Sequence, residues 1–202
     1  TATNAYEFGI SDNSATALFN RFNFTELGVG IRFAYGEKFL KSPVGMISLG
    51  TDYPVVWANI VHGFNGLLNG QYDYMKYDLK VSKVFRIPQV GYSAIEVLAG
   101  YVNGNVPYTM LYNANACFEQ YTVAVDNSFE TMRLNEFLSN RYINIFYSHN
   151  FMSFLFGGKK FRPHLKLVTH LGWGMLDNAG SHYFFPFKTM EQGYYESGIE
   201  LN

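Results

Sequence analysis

The feature that most constrains this chain is an alternation of period two that recurs in segment after segment. In FTELGVGIRFAYGEKF (24–39), Leu27, Val29, Ile31, Phe33 and Tyr35 are apolar, while Glu26, Gly28, Gly30, Arg32, Ala34 and Gly36 between them are charged or small. Successive side chains of an extended strand point to opposite faces, so this segment is a strand with one greasy face and one polar, glycine-rich face. The pattern returns in 44–60, 72–87, 92–102, 140–151, 163–175 and 195–201, and helical periodicity is scarce. The chain reads as all-β and antiparallel, with about seven or eight strands covered. The first twenty residues, with SDNSAT at 11–16, read as a loop after the end of an earlier strand.

Period two does not say which face meets water. A soluble antiparallel sandwich, or a small barrel around an apolar ligand, would turn the greasy face inward. Three features favour the opposite arrangement. Charged residues make up only 15% of the chain, where soluble domains carry about 25%. Most of the strands exceed the ~5–6 residues usual in globular sheets and match the ~9–11 of membrane-crossing strands. The polar face is rich in glycine, where a wet surface would carry Lys, Glu and Thr. Aromatics reach 18%, and Phe22, Phe24, Tyr35, Tyr72, Tyr92, Tyr101, Trp173 and Tyr195 fall near strand ends, as in the girdles of outer-membrane barrels.

Connections read as short at 36–43 and 88–91, long at 103–137 and 176–193, and intermediate at 62–71 and 152–162. That rhythm suits a barrel with short turns on one side and long loops on the other. No run of ~18 apolar residues offers a transmembrane helix. The expectation is an antiparallel transmembrane β-barrel in a bacterial outer membrane, with residues 1–202 a single region incomplete at both ends. Outer-membrane lipid would then be its first partner. Formal net charge is −1, which gives no basic field for nucleic acid. Cys117 is alone, so no intrachain disulfide forms, and TATNAYEF lacks the basic and apolar regions of a signal peptide.

The polar face carries the chemistry. Glu26, Arg32, Asp52, Lys76, Asp78, Lys80, Glu96, His164, Lys166, His170, Glu196 and Glu200 would all project to one side, towards a lumen. Their signs are mixed, so strong ion selectivity is not indicated. They either pair across strands to fill the lumen or line a watery path for a solute. His164 and His170 share a face but lie ~20 Å apart along a strand, too far to share a metal. Ser148 and His149 are sequence neighbours and so point to opposite faces. GYSAIE around Ser93 falls short of a nucleophile elbow, and GVGIR at 28–32 lacks the third glycine of a dinucleotide fingerprint. No catalytic residue, metal site or cofactor is expected, although a hydrolase built from loops stays open. The long 103–137 connection is the candidate recognition surface. Its Tyr108, Tyr112, Phe118 and Tyr121 would either grip a partner or glycan, or pack the loop against the barrel mouth.

The segments at 24–39, 72–85, 99–112, 135–151 and 193–202, in that order, also carry a family resemblance. The chain resembles the C-terminal β-barrel region of a family of large outer-membrane proteins of unknown function from Gram-negative bacteria. Members carry an N-terminal carboxypeptidase-regulatory-like β-sandwich domain. The resemblance implies an outer-membrane barrel and supplies no activity. The functional expectation is an envelope role in transport or binding. The alternatives are a scaffold that docks envelope proteins through its loops, or a soluble barrel.

Overall fold

A computed structural model describes residues 6–12, 15–118, 127–152, 164–184 and 186–201. Among them run the strands β1 (Glu7–Asp12), β2 (Ala15–Phe19), β3 (Glu26–Ala34), β4 (Lys38–Ser42), β5 (Gly45–Gly50), β6 (Val55–Gly63) and β7 (Tyr74–Ile87). They continue with β8 (Gly91–Asn103), β9 (Ala116–Phe118), β10 (Phe129–Arg133), β11 (Arg141–Asn150), β12 (Leu165–Met175), β13 (His182–Tyr183) and β14 (Tyr194–Leu201). The described residues are all-β, apart from two single turns of 3₁₀ helix at Tyr108–Met110 and Ala179–Ser181.

Seven strands form the main sheet in the order β14-β12-β11-β8-β7-β6-β3, every neighbouring pair antiparallel. Six of the seven expected strands match these elements closely. The seventh is corrected. Val44–Ile60 is not one strand, because the chain bends over Thr51–Pro54. Proline has no N–H to give a ladder, and the Thr51 hydroxyl donates instead to the Tyr35 carbonyl. Residues 36–43, read as a short connection, hold β4, which pairs with β5 in a hairpin of its own. The bend inverts the parity beyond it. Trp57 therefore lies in register with Arg32 and Lys80 on the polar face, while Val56, Ala58 and Ile60 join Phe33, Ile31 and Val29. The start of the chain is corrected as well, since β1 and β2 form a hairpin and β13 pairs with β1.

The apolar face is a band of outward side chains. Leu27, Val29, Ile31 and Phe33 are each more than 60% exposed, as are Tyr195, Ile199 and Leu201 at the far edge. The band does not follow the register. The row through Gly30 runs across Asn59, Asp78, Gly100, Tyr142 and Gly174, and Gly172 pairs with Tyr194. The same row would thus reach position 192 in β14, about six residues short of Gly198, the middle of the exposed apolar residues described there, Tyr195, Ile199 and Leu201. Six residues of ~3.3 Å against six strand spacings of ~4.8 Å give a slope of about 35°. Strands of closed barrels tilt by ~35–45° from the axis.

The polar face carries the buried material. Between β8 and β11 the chain turns back over it, and Phe129 and Met132 of β10, with Ala114 and Ala116, form a buried cluster with Phe146 and, from beyond β12, Met190. Burying Phe129 and Met132 contributes about 2–3 kcal/mol each. A second cluster, with Phe8, Tyr72, Tyr74, Val102, Val106, Leu111, Leu138 and Leu176, closes one end of the sheet.

Candidate functional site

Alternation sends one side chain in two to the polar face, and the register decides which of them meet. Lys166 faces Glu200 across β12 and β14, with Nζ 3.1 Å from the carboxylate, and His170 faces Glu196 at 2.8 Å. Lys80 of β7 reaches diagonally to Glu96 of β8 at 2.7 Å. Asp78 accepts hydrogen bonds from the Asn59 amide (3.3 Å) and the Tyr112 hydroxyl (2.6 Å), and Lys76 lies 4.5 Å above the Tyr112 ring. Glu26 accepts from the Tyr74 hydroxyl.

Two of the expected residues sit apart. Asp52 lies in the bend before β6, exposed and 3.2 Å from Lys38. His164 stands half-buried just before β12. Arg32 takes a partner the sequence did not suggest. Glu37, at the base of the β4–β5 hairpin, receives both terminal nitrogens of the guanidinium at 2.7 Å. That pair, with the Ser48 hydroxyl, holds the Glu37 carboxyl down at about 2.

Part of the polar face is roofed by residues of the connections on either side of β11 and β12, among them Tyr112, Phe129, Met132, Ser139 and Met190. Glu196 is the clamp. Besides His170 it accepts from the Glu130 N–H (2.9 Å), the Thr131 N–H (3.1 Å) and the Thr131 hydroxyl (2.7 Å). The wall glycines beneath are seats for the cover. A Cβ on Gly172 would come 2.8 Å from the Phe129 ring, one on Gly174 would strike Ser139, and one on Gly100 would lie 2.5 Å from the Tyr112 ring. The contact is close but not fully satisfied. Asn144 is fully buried, and its amide oxygen and nitrogen, like the Ser139 hydroxyl, have no hydrogen-bond partner among the described residues.

The loop tyrosines turn inward. Tyr108 packs edge-on against Tyr6 at 4.5 Å, and Tyr112 rests on Tyr142 at 4.6 Å. Tyr121 and the side chains of Phe118 and Cys117 lie outside the described residues. Over β3, β6 and β7 the face is open. Arg32, Trp57, Asn59, Asp78, Lys80 and Tyr142 line a cleft of about 380 Å³ there. Trp57, Asn59 and Tyr142 escaped the sequence reading, since the parity inversion at the bend hid the first two. Pro54 inside an apolar run was the signal that could have found it.

On the apolar face, full charges occur only at Lys83 and Arg141 in the seven sheet strands. Arg141 is paired with Asp177 at 2.8 Å, and Lys83 donates to the Asp52 carbonyl. His62 lies 3.3 Å from Asp73. All three partners belong to connections rather than strands. Ser93 and His149 also meet on this side, with Oγ 2.7 Å from Nδ1 and Tyr147 3.2 Å away. Ser93 is only 2% exposed, which leaves no room for a substrate at its hydroxyl. No group of three or more His, Cys, Asp or Glu among the described residues is placed to hold a metal ion.

The fold and its site define a β-sheet wall, apolar on one side, whose polar side is charge-paired and partly roofed by the chain's own connections. The chain belongs to a family of unknown function, DUF5686, whose C-terminal domain matches residues 4–199. No curated protein and no solved structure matches it.

Proposed function

We propose that this chain is wall and cover of an outer-membrane β-barrel that lets a solute enter or bind when the cover moves. The observation that carries this reading is the slope of the apolar band. Its ~35° to the register is the angle at which barrel strands cross a bilayer. A greasy surface meant for another protein has no reason to follow that angle. The position of charge agrees, since Lys83, Arg141 and His62 reach for partners in the connections, as residues at a membrane rim do. No helix among the described residues is long and apolar enough to cross a membrane, so a crossing would fall to the strands.

Paired charges and a seated cover describe a closed lumen. The unpartnered Asn144 and Ser139 beneath the cover make that closure costly, since each buried polar group without a partner costs ~1–3 kcal/mol. Lifting the cover hydrates both. The test is conductance across planar bilayers. The native chain conducts little, and Glu196→Gln, which loosens the clamp, raises the open fraction. A membrane sealed equally by both proteins, at all voltages, would remove the passage reading.

A scaffold role is the second reading, and the β4–β5 hairpin favours it. Val44 is 98% exposed at its tip, with Met46, Leu49 and Leu40 bare beside it. Deleting residues 38–50 then abolishes the recovery of a stoichiometric envelope partner from solubilised membranes, while the barrel stays intact. Equal recovery with and without the hairpin would rule this role out.

A further inference from the structure

We propose that the uncovered part of the polar face, over β3, β6 and β7, is a binding site for a neutral oligosaccharide. The covered part shows what small residues do on this wall. Each of Gly100, Gly172 and Gly174 has a side chain of the roofing connections above it. Gly28 and Gly30 offer the same room on β3, yet the nearest atoms to a Cβ there are those of Val61 and Asn59, their own neighbours in the sheet. The space is kept, and no side chain of the cover among the described residues fills it. The cleft above Gly30, about 380 Å³, is within the ~300–1,000 Å³ of small-ligand sites.

Its lining selects the ligand. Trp57 stands in one register row between Arg32 and Lys80, with the guanidinium carbon 5.6 Å and the ammonium 5.3 Å from the ring centre. Both cations are already neutralised, by Glu37 and Glu96, each at 2.7 Å. An anion would have to break these pairs, so charge is not what the cleft recruits. What it offers is an indole and the Tyr142 ring, with N–H donors on Arg32 and Lys80 and the Asn59–Asp78 pair one row away. A purely apolar ligand would gain contact with Trp57, Tyr142 and Leu98 but strip water from Asn59 and Asp78 without giving them a new partner. A pyranose presents C–H groups to the aromatic rings, and its vicinal hydroxyls both donate to Asp78 and accept from Asn59, Arg32 and Lys80. The cleft alone carries this inference, whether or not the apolar face meets lipid.

Trp173→Phe leaves Trp57 as the one tryptophan, and its fluorescence is followed while maltotetraose, cellotetraose or chitotetraose is added. One of these neutral probes gives a saturable change. In the same background Asn59→Ala weakens binding about tenfold, the loss of one hydrogen bond. Ser197→Ala, on the opposite face, leaves it unchanged. Calorimetry on the native protein and on Trp57→Phe, each checked for an unaltered circular dichroism spectrum, repeats the comparison without relying on emission. The proposal is overturned by no saturable response to any of the three, by an affinity indifferent to Asn59→Ala, or by binding of trigalacturonate or inorganic phosphate in their place.

Discussion

Phe129 fills the space that Gly172 leaves. A Cβ on that glycine would lie 2.8 Å from the ring's Cζ and 3.0 Å from the Asn144 side-chain oxygen, and Phe129 itself is fully buried. Gly172→Val therefore pushes the cover off the wall without touching the strand ladder. The expected cost is about 1–3 kcal/mol, the range for overpacking a filled site. Hydrogen exchange reads it as faster exchange through Phe129–Arg133, with the amides of β11 and β12 unchanged.

Glu196 holds the same segment by charge-assisted hydrogen bonds to two backbone N–H groups and a hydroxyl. Glu196→Gln keeps the shape and halves the acceptors. The Glu130 and Thr131 amides then exchange about ten- to a hundredfold faster, corresponding to ~1.5–3 kcal/mol. Exchange equal to that of the native chain would mean that Phe129 and Met132 hold the cover unaided.

Asn144 makes the opposite prediction. It is buried with both polar atoms unpartnered among the described residues, so a side chain of the same shape without them removes a penalty. Asn144→Leu raises stability by about 1–2 kcal/mol and lowers any conductance that depends on the cover lifting. A drop in the thermal midpoint would show that Asn144 is satisfied by water.

The end cluster responds to acid. His182, 2.8 Å from the Tyr6 hydroxyl and packed against Phe8, is pushed down to about 4 by burial. A histidine buried neutral binds its proton less readily folded than unfolded. Its contribution is therefore full above ~6.5, and is lost as pH falls from there towards about 4. The whole effect is at most about 3 kcal/mol. Near-ultraviolet circular dichroism and exchange in β1 track it, and His182→Gln flattens the profile between those limits.

How far the sequence could be read follows from the period of each element. Wherever alternation ran unbroken, as in Leu27–Phe33 or Met75–Val81, both the strand and its faces were legible, because a strand's period is fixed by its backbone. Trp57 was not, since a bend of four residues is invisible to a period count that carries on through it. The cover was not legible either. Phe129, Thr131 and Met132 sit in a long connection, and only the register shows that Gly172 waits beneath them. Glu37 had no pattern to announce it, as its contact with Arg32 depends on the hairpin base folding back.

The most direct test of the account is whether Trp173 touches lipid. It stands on the apolar face, 42% exposed, between Ile143 and the β14 edge, and Trp57→Phe leaves it as the sole tryptophan. In vesicles of bromine-labelled phosphatidylcholine the account predicts strong quenching of Trp173 emission that depends on the depth of the bromines, and little quenching by aqueous iodide. Iodide access with no effect of the brominated chains would contradict it, and would place the apolar band against protein instead of a bilayer.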